Sequence, residues 1–430
     1  MRIFLIKKSF LIFLMICGLL CIFCCKDLVE PTKKTEKEDP ELNITLKSTI
    51  EKVQPMTGIV FWTDSKHNAS ETIQLEYSYM LYNDIVKNRG VYNWAKLENL
   101  LKGVESRKHQ AVIRFRFTYP GERTSVPEYI KQSPDYHETR GLSEGEITWF
   151  PDWSFMELKD FTLEFYSKFA EQYDDDPRIS FLQVGFGLWA EYHIYDGPMI
   201  LGKTFPSKNF QKIFLKHLEM SFNDLHWSIS IDSADETVSP FKENSDLLEI
   251  NFGLFDDSFL HKTHHDYNAE CFFFLGSERY QTSPIGGELS YYSVYDQRHA
   301  LDKTGPYGIS FEELSKQYHI SYMIGNDQPD FQAMSRIKEA GLAIGYKFKI
   351  ISFKASSINS RVVVQNTGIA PIYYDAFITV NGVRSEDSLK GLLPGEEKEY
   401  IVAAGGKNPV LIIESNRLVS GQIIQFEADL

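Results

Sequence analysis

Eight short apolar or alternating runs, separated by helix-patterned stretches, constrain this chain more than any other feature. They cover Thr57–Trp62, Leu75–Leu81, Ala111–Phe117, Ile179–Gly187, Trp227–Asp232, Leu248–Leu254, Ser283–Leu289 and Ile320–Ile324. Each has the length of a buried strand. Between them, Trp94–Glu105, Met156–Tyr173, Phe210–Phe222, Phe311–Tyr318 and Phe331–Ala340 place apolar residues three and four apart. In the second of these, Phe161, Phe165, Phe169 and Tyr173 recur at every fourth position, which sets them on one helix face. A parallel strand pair needs a crossover, so alternating strand and helix predict a parallel sheet. Eight repeats predict closure into a (β/α)8 TIM barrel over residues 51–346, an α/β fold. An open doubly wound sheet is the alternative, but no Gly-rich dinucleotide fingerprint follows any strand.

From Lys347 onward the helical period disappears. Short β-rich runs alternate with turns: Val362–Gln365, Tyr373–Val380, Tyr400–Ala403, Val410–Ile413 and Ile423–Glu427. Asn381-Gly382 after Phe377-Ile-Thr-Val is a hairpin signal, because both turn positions of a two-residue hairpin favour φ > 0. Residues 347–430 are therefore expected to form a small all-β, immunoglobulin-like sandwich.

The N-terminal end has a different character. Arg2, Lys7 and Lys8 precede an apolar run from Phe10 to Phe23, the pattern of an export signal and too short for a typical membrane span. Ile22-Phe-Cys24-Cys25 then fits the end of a bacterial lipoprotein signal, with Cys25 as the lipidated residue and Phe23 bulky for its place. Residues 1–25 are read as that signal, against an ordinary export signal or anchor. Residues 26–50, charged and without aromatics, are read as a flexible tether. The chain is thus expected to be exported and held to a bacterial outer membrane or cell surface by lipid alone.

The formal charge is −14 and becomes −17 without Arg2, Lys7 and Lys8, which argues against nucleic acid as a partner. Cys271 is the one thiol beyond the signal, so neither a disulfide framework nor a Cys-rich zinc site is available. In Cys271-Phe-Phe-Phe-Leu it reads as a core residue. His261, His264 and His265 match no standard ligand spacing, and neither a metal nor a cofactor is expected.

Two glutamates stand where strand-like runs end. Glu191 closes Ile179…Gly-Leu-Trp-Ala-Glu, and Glu288 closes Ser283-Pro-Ile-Gly-Gly-Glu. On a closed barrel they follow strands four and seven and share the C-terminal face, where barrel enzymes keep their chemistry. A carboxyl group among Trp189, Tyr192, His193 and Tyr195 would be desolvated and held protonated, as a general acid requires. Glu288, near Tyr291 and Tyr292, would be the nucleophile. Carboxyls about 5–5.5 Å apart suit retention at a sugar's anomeric carbon, and about 6.5–9.5 Å suits inversion. Asp232, Asp256 and Asp257 follow strands five and six as candidate sugar ligands, beside Arg116, Trp189, Tyr192, His193 and Tyr292. Arg114 and Arg116 lie two apart on strand three and share a face, where ion pairing is favoured over substrate contact.

Gly90-Val-Tyr-Asn-Trp-Ala-Lys-Leu-Glu, Ala111-Val-Ile-Arg-Phe, Phe186-Gly-Leu-Trp-Ala-Glu-Tyr-His, Gly286-Gly-Glu and Val363-Val-Gln-Asn-Thr-Gly-Ile-Ala-Pro resemble an uncharacterised family of bacterial secreted lipoproteins. The resemblance spans about residues 55–430 and implies a glycoside-hydrolase-like barrel followed by a β-sandwich. A looser resemblance is to retaining glycosidases with Glu on strands four and seven. It implies Glu191 as acid/base and Glu288 as nucleophile. Those enzymes carry Asn before the strand-four Glu, where this chain has Ala190; His193 or Asn251 are the candidates to replace its hydrogen bond. The expectation is a surface-anchored glycoside hydrolase acting on oligo- or polysaccharide. The alternatives are a non-catalytic glycan-binding lipoprotein using the same cleft, and a scaffold or adhesion protein.

Overall fold

Eight parallel strands close into a barrel in the computed structural model of the protein, which describes residues 39–430. The strands are β1 (Gly58–Trp62), β2 (Leu75–Leu81), β3 (Gln110–Arg116), β4 (Ile179–Val184), β5 (Trp227–Ser230), β6 (Gly253–Phe259), β7 (Ile285–Leu289) and β8 (Tyr322–Ile324). Each pairs in parallel with its sequence neighbours, and β8 returns to β1. The fold is a (β/α)8 barrel.

Seven strands lie within the expected runs or differ from them by a residue. The sixth is displaced: Ser245–Glu249 is a 3-10 turn, and the strand is Gly253–Phe259. Asp256 and Asp257 are therefore inside β6, not beyond its end. The main crossover helices are α1 (Ala95–Ser106), α2 (Met156–Tyr173), α3 (Lys208–Ser221), α4 (His265–Gly276), α5 (Phe311–Tyr318) and α6 (Met334–Ala343). The four-residue aromatic period of α2 does what its spacing dictates. Phe161, Phe165, Phe169 and Tyr173 are buried, and Phe165 meets Phe115 of β3 edge-on at 4.7 Å. Residues 118–155, between β3 and α2, contain a hairpin of Thr139–Ser143 and Glu146–Phe150.

Beyond residue 347, two sheets share one cluster of buried side chains. The larger is built on Phe348–Ala355, Ser360–Asn366 and Glu397–Val402, and the smaller on Phe377–Val380, Val383–Arg384 and Leu411–Glu414. Asn381 and Gly382 have φ of 51° and 82° and join Val380 to its partner Val383, the two-residue turn their sequence favours.

Two short strands change the reading of the tether. Leu42–Asn43 pairs with Phe348–Ala355, and Lys47–Ser48 pairs with Phe426–Asp429. The last part of the segment expected to be flexible thus belongs to the larger sheet. The signal over 1–25, Cys25 and the start of the tether lie outside the described residues. No helix of the described residues is long and apolar enough to cross a membrane.

The sheets cap one end of the barrel. The Tyr374 hydroxyl donates to Ser180 O, Arg417 Nη2 donates to Ile179 O at 2.9 Å, and His226 Nε2 lies 3.1 Å from Tyr373 O. Gln422 Nε2 donates to Gln74 Oε1 at 3.0 Å. All these barrel residues stand at or just before the N-terminal ends of β2, β4 and β5. The opposite end, where the strands finish, is left open.

Candidate active site

The site is built around Arg114, a fully buried guanidinium on β3. Its Nε donates to Gln183 Oε1 of β4 at 2.7 Å, and Gln183 in turn donates to the Tyr322 hydroxyl of β8 at 2.9 Å. Its Nη1 reaches Trp189 O at 3.2 Å and Glu191 Oε1 at 3.5 Å, and its Nη2 reaches Asp257 Oδ1 at 3.1 Å. The Phe255 ring lies 4.2 Å from the guanidinium carbon. Phe255 and Asp257 are two apart on β6 and so face inward together. In the sequence Arg114 is one of two arginines on strand three, and nothing local marks it as the hub. The pleat is the available signal, since an inward Arg in a barrel demands acidic partners.

Glu191 is held by a tightly folded loop. After β4 the chain doubles back, with Gly187 N donating to Glu191 O at 2.8 Å and Leu188 N donating to His193 O at 3.1 Å. A Cβ at Gly187 would stand 1.9 Å from His193 O, so only glycine permits this approach. Trp189 and Ala190 take left-handed φ of 53° and 61°. Glu191 is 5 % exposed, with Oε2 2.7 Å from His193 Nε2. His193 Nε2 is also 3.6 Å from Asp232 Oδ2. Burial disfavours the imidazolium, but the Glu191 hydrogen bond and the Glu191 and Asp232 charges outweigh it and raise the His193 pKa to about 9. Donor atoms of Glu191, His193 and Asp232 lie within 4.8 Å of one another and are the residues here with metal-ligand geometry.

Glu288 ends β7 close to the same group. Two residues earlier, Gly286 makes room for the Tyr322 ring, from which a Cβ there would stand 2.4 Å away. Glu288 keeps some solvent access, yet the protein packed around its carboxyl raises its pKa to about 8. Burial is the largest cause; Arg114 opposes it, and the Glu191 and Asp327 charges add to it. Burial, then the Glu191 charge, likewise holds Asp257 well above the usual carboxylate range against the pull of Arg114. Arg114 thus pairs with two of these carboxyls, Glu191 and Asp257, with Glu288 close enough to feel its charge.

The remaining candidates divide by position. Trp189 stacks on Tyr195 with centroids 5.7 Å apart, and Tyr292, which is 60 % exposed, stacks on His261 at 4.5 Å. Asp232 accepts from Ser230 Oγ at 2.7 Å and sits beside His193. Arg116 pairs with Glu122 at 2.9 Å and covers the Tyr119 ring, the ion-paired role favoured for it. Three expectations are corrected. Tyr192 is fully buried against Phe186 and Phe205 and lines no subsite. Asp256 points out of the barrel toward α4, where Asn268 Nδ2 donates to it at 2.8 Å, and burial first of all raises its pKa to about 7. Asn251 stands before β6, at the closed end, and receives the Ser283 hydroxyl at 2.5 Å, so it cannot substitute for the missing Asn at 190. A hollow of about 540 Å3 lined by Asn83, Glu122, Arg123, Lys131 and Glu138 contains none of the central carboxylates.

The chain matches no family model and no curated protein, so the lipoprotein family suggested by its motifs gains no support from them. Among solved structures it is similar to endo-glycoceramidase II from Rhodococcus sp. (TM-score 0.42, 9% identity, covering 86% of this chain and 98% of that one). It is also similar to xylanase B from Clostridium stercorarium F9 (TM-score 0.37, 10% identity, 64% and 88% covered). A third is the endo-1,4-beta-xylanase from Caldicellulosiruptor owensensis (TM-score 0.38, 11% identity, 63% and 84% covered). The fold assignment rests on the strand topology of the barrel itself.

Proposed function

We propose that the protein is a glycoside hydrolase using two carboxyl groups at the open end of the barrel. The observation that carries this reading is the gathering of Glu191, Asp257 and Glu288 about Arg114, with Glu288 retaining its proton to about pH 8. Glycosidic cleavage needs one protonated and one ionised carboxyl. In this reading the roles expected from sequence are exchanged. Glu288 is the acid that protonates the leaving oxygen. Glu191, hydrogen-bonded by His193 and Arg114, is the ionised partner, attacking the anomeric carbon or drawing a proton from the water that does. Trp189 and Tyr292 offer faces on which a sugar ring can stack.

A second reading, glycan binding without turnover, is favoured by one feature. Both Glu191 oxygens are engaged, Oε1 by Arg114 at 3.5 Å and Oε2 by His193 at 2.7 Å, which lowers the carboxylate's nucleophilicity. The two readings separate in one experiment. Purified wild type, Glu288→Gln and Glu191→Gln are incubated with a panel of neutral and acidic oligosaccharides, and product and binding are both measured. Turnover by wild type that falls at least 1000-fold in either variant, an order of magnitude set by acid–base and nucleophilic contributions, supports the hydrolase. Binding by all three proteins without turnover supports the second reading. The anomeric form of the first product distinguishes direct attack by Glu191 from attack by water.

The proposal includes export and lipid attachment at Cys25. Labelling with radioactive palmitate, lost in Cys25→Ser, tests the attachment.

A further inference from the structure

The run His261-Lys262-Thr-His264-His265 follows β6 and takes no part in the chemistry above. Its structure is nonetheless ordered by a dedicated set of partners. Asp296, 1 % exposed, accepts from His261 Nδ1 at 2.7 Å and from Ser290 Oγ at 2.9 Å, and the Tyr307 hydroxyl bonds its other oxygen. This fixes the imidazole flat against Tyr292, with ring planes 20° apart, and leaves Nε2 facing outward. His264 stands edge-on to both rings and is held by Ser258 Oγ at 3.0 Å. The Tyr292 hydroxyl feels the charges of Asp232, Glu191 and Asp257, which places this wall beside the central carboxylates.

Behind the wall lies a cavity of about 210 Å3. Its floor is apolar, from Leu260, Ile309 and Leu314, and its rim carries His261, Lys262 and His265. Asp266 is the single carboxylate on the lining. Lys262 leans over the Tyr307 ring at 5.9 Å, and among the described residues neither it nor His265 has a carboxylate within 4.0 Å. Lys262 and two imidazoles thus line one hollow in a protein whose formal charge is −14. An anionic substituent gains a charge-assisted hydrogen bond from the Lys262 ammonium there and can accept from the imidazole N–H groups.

We propose that this cavity is a subsite for an anionic group on the glycan, a uronic acid carboxylate or a sugar sulfate, bound by Lys262 and His265 while the ring lies on the apolar floor of Leu260, Ile309 and Leu314. The proposal rests on the glycan reading and narrows its substrate class to acidic saccharides. The apolar floor accommodates the ring carbons, and the Asp296-held imidazole presents a fixed Nε2 to a hydroxyl.

The test is calorimetric titration of the full-length protein with three oligosaccharides of equal length: an oligogalacturonate, a sulfated galactan fragment and its unsulfated counterpart. At least one acidic ligand is expected to bind about tenfold more tightly than the neutral one, the size of effect a hydrogen bond to a charged group gives. The preference should shrink as salt is raised and vanish in Lys262→Met and His265→Gln, each shown to be folded by circular dichroism, while neutral affinity is unchanged. Preference for the oligogalacturonate identifies the carboxylate as the recognised group, and preference for the sulfated fragment identifies the sulfate. Equal binding of all three, or a preference that survives Lys262→Met and His265→Gln, overturns the subsite and leaves the glycan reading standing. Binding of none overturns both.

Discussion

Glu191 Oε2 and His193 Nε2 stand 2.7 Å apart across a backbone turn that only two left-handed residues and Gly187 make available. The pair is thus a product of loop geometry, not of two adjacent strand ends. The loop sets a carboxylate and an imidazole side by side at the mouth of the barrel. Asp232, from the turn after β5, completes the group at 3.6 Å from the same nitrogen.

This contact carries a pH-dependent stability. The His193 pKa rises from an ordinary value near 6.5 to about 9, so its stabilisation is complete below pH 6.5 and is lost as pH rises through 9. His193→Gln should therefore cost about 3 kcal/mol at pH 6 and little at pH 9.5. Urea unfolding of both proteins at the two pH values measures the difference; an equal loss at both would show that His193 is held as a neutral ring.

Glu288 behaves in the opposite sense to an ion-paired carboxylate. Its pKa is raised to about 8, so the folded state keeps a proton that the unfolded chain releases near pH 4.5. Stability from this group is present below pH 4.5 and is lost as pH rises through 8. Glu288→Gln, which imitates the protonated form, should match wild type near pH 4.5 and exceed it by a few kcal/mol at pH 8.5. The same substitution should abolish turnover. Thermal melts across pH 4.5–9, paired with activity, distinguish a stabilising but inactivating change from simple misfolding.

Gly286 positions this carboxyl through close packing. An alanine Cβ there would lie 2.4 Å from the Tyr322 ring, whose hydroxyl is fixed by Gln183 at 2.9 Å. Gly286→Ala should destabilise the protein by about 1–3 kcal/mol through overpacking. It should also lower activity by more than the unfolded fraction explains, because Glu288 follows two residues later. Activity per folded molecule, measured well below the melting temperature, separates the two effects.

The barrel was legible because burial on both faces writes apolar strands directly into sequence, and α2 because its aromatics recur every fourth residue. The sixth strand was misplaced for the same reason in reverse. Leu247-Leu-Glu-Ile-Asn-Phe is the more apolar segment, whereas β6 spends two positions on Asp256 and Asp257. Those two acids looked alike in sequence, yet the strand pleat sends one to Arg114 and the other to Asn268. α4 escaped detection because Phe272, Phe273 and Phe274 are consecutive and blur the helical period; Phe272 is buried and Phe273 is 79 % exposed. Tyr192 looked like a subsite residue from its neighbours, but the loop's doubling back turns it into the core. The His261–Asp296 contact joins residues 35 apart, one after β6 and the other in the short helix Val294–His299, and has no local signal.

Arg114 gives the most severe prediction, because it is the common partner of Glu191 and Asp257. Arg114→Met removes the cation, leaving Glu191 with His193 alone and the largely buried Asp257 without a cationic partner beside Glu288. Losing one partner of a buried ion pair costs about 3–5 kcal/mol, and here the loss should fall with acid, as protonation relieves the remaining carboxyls. Adding Asp257→Asn to Arg114→Met should recover part of the stability at pH 7, since it deletes a charge the guanidinium no longer balances. Asp257→Asn alone should be far milder, because Arg114 keeps Glu191, Gln183 and Trp189 O. A double-mutant cycle from denaturant unfolding at pH 5 and pH 7 reads all three quantities. A coupling energy that does not depend on pH would show that Arg114 acts by packing against Phe255, not by charge.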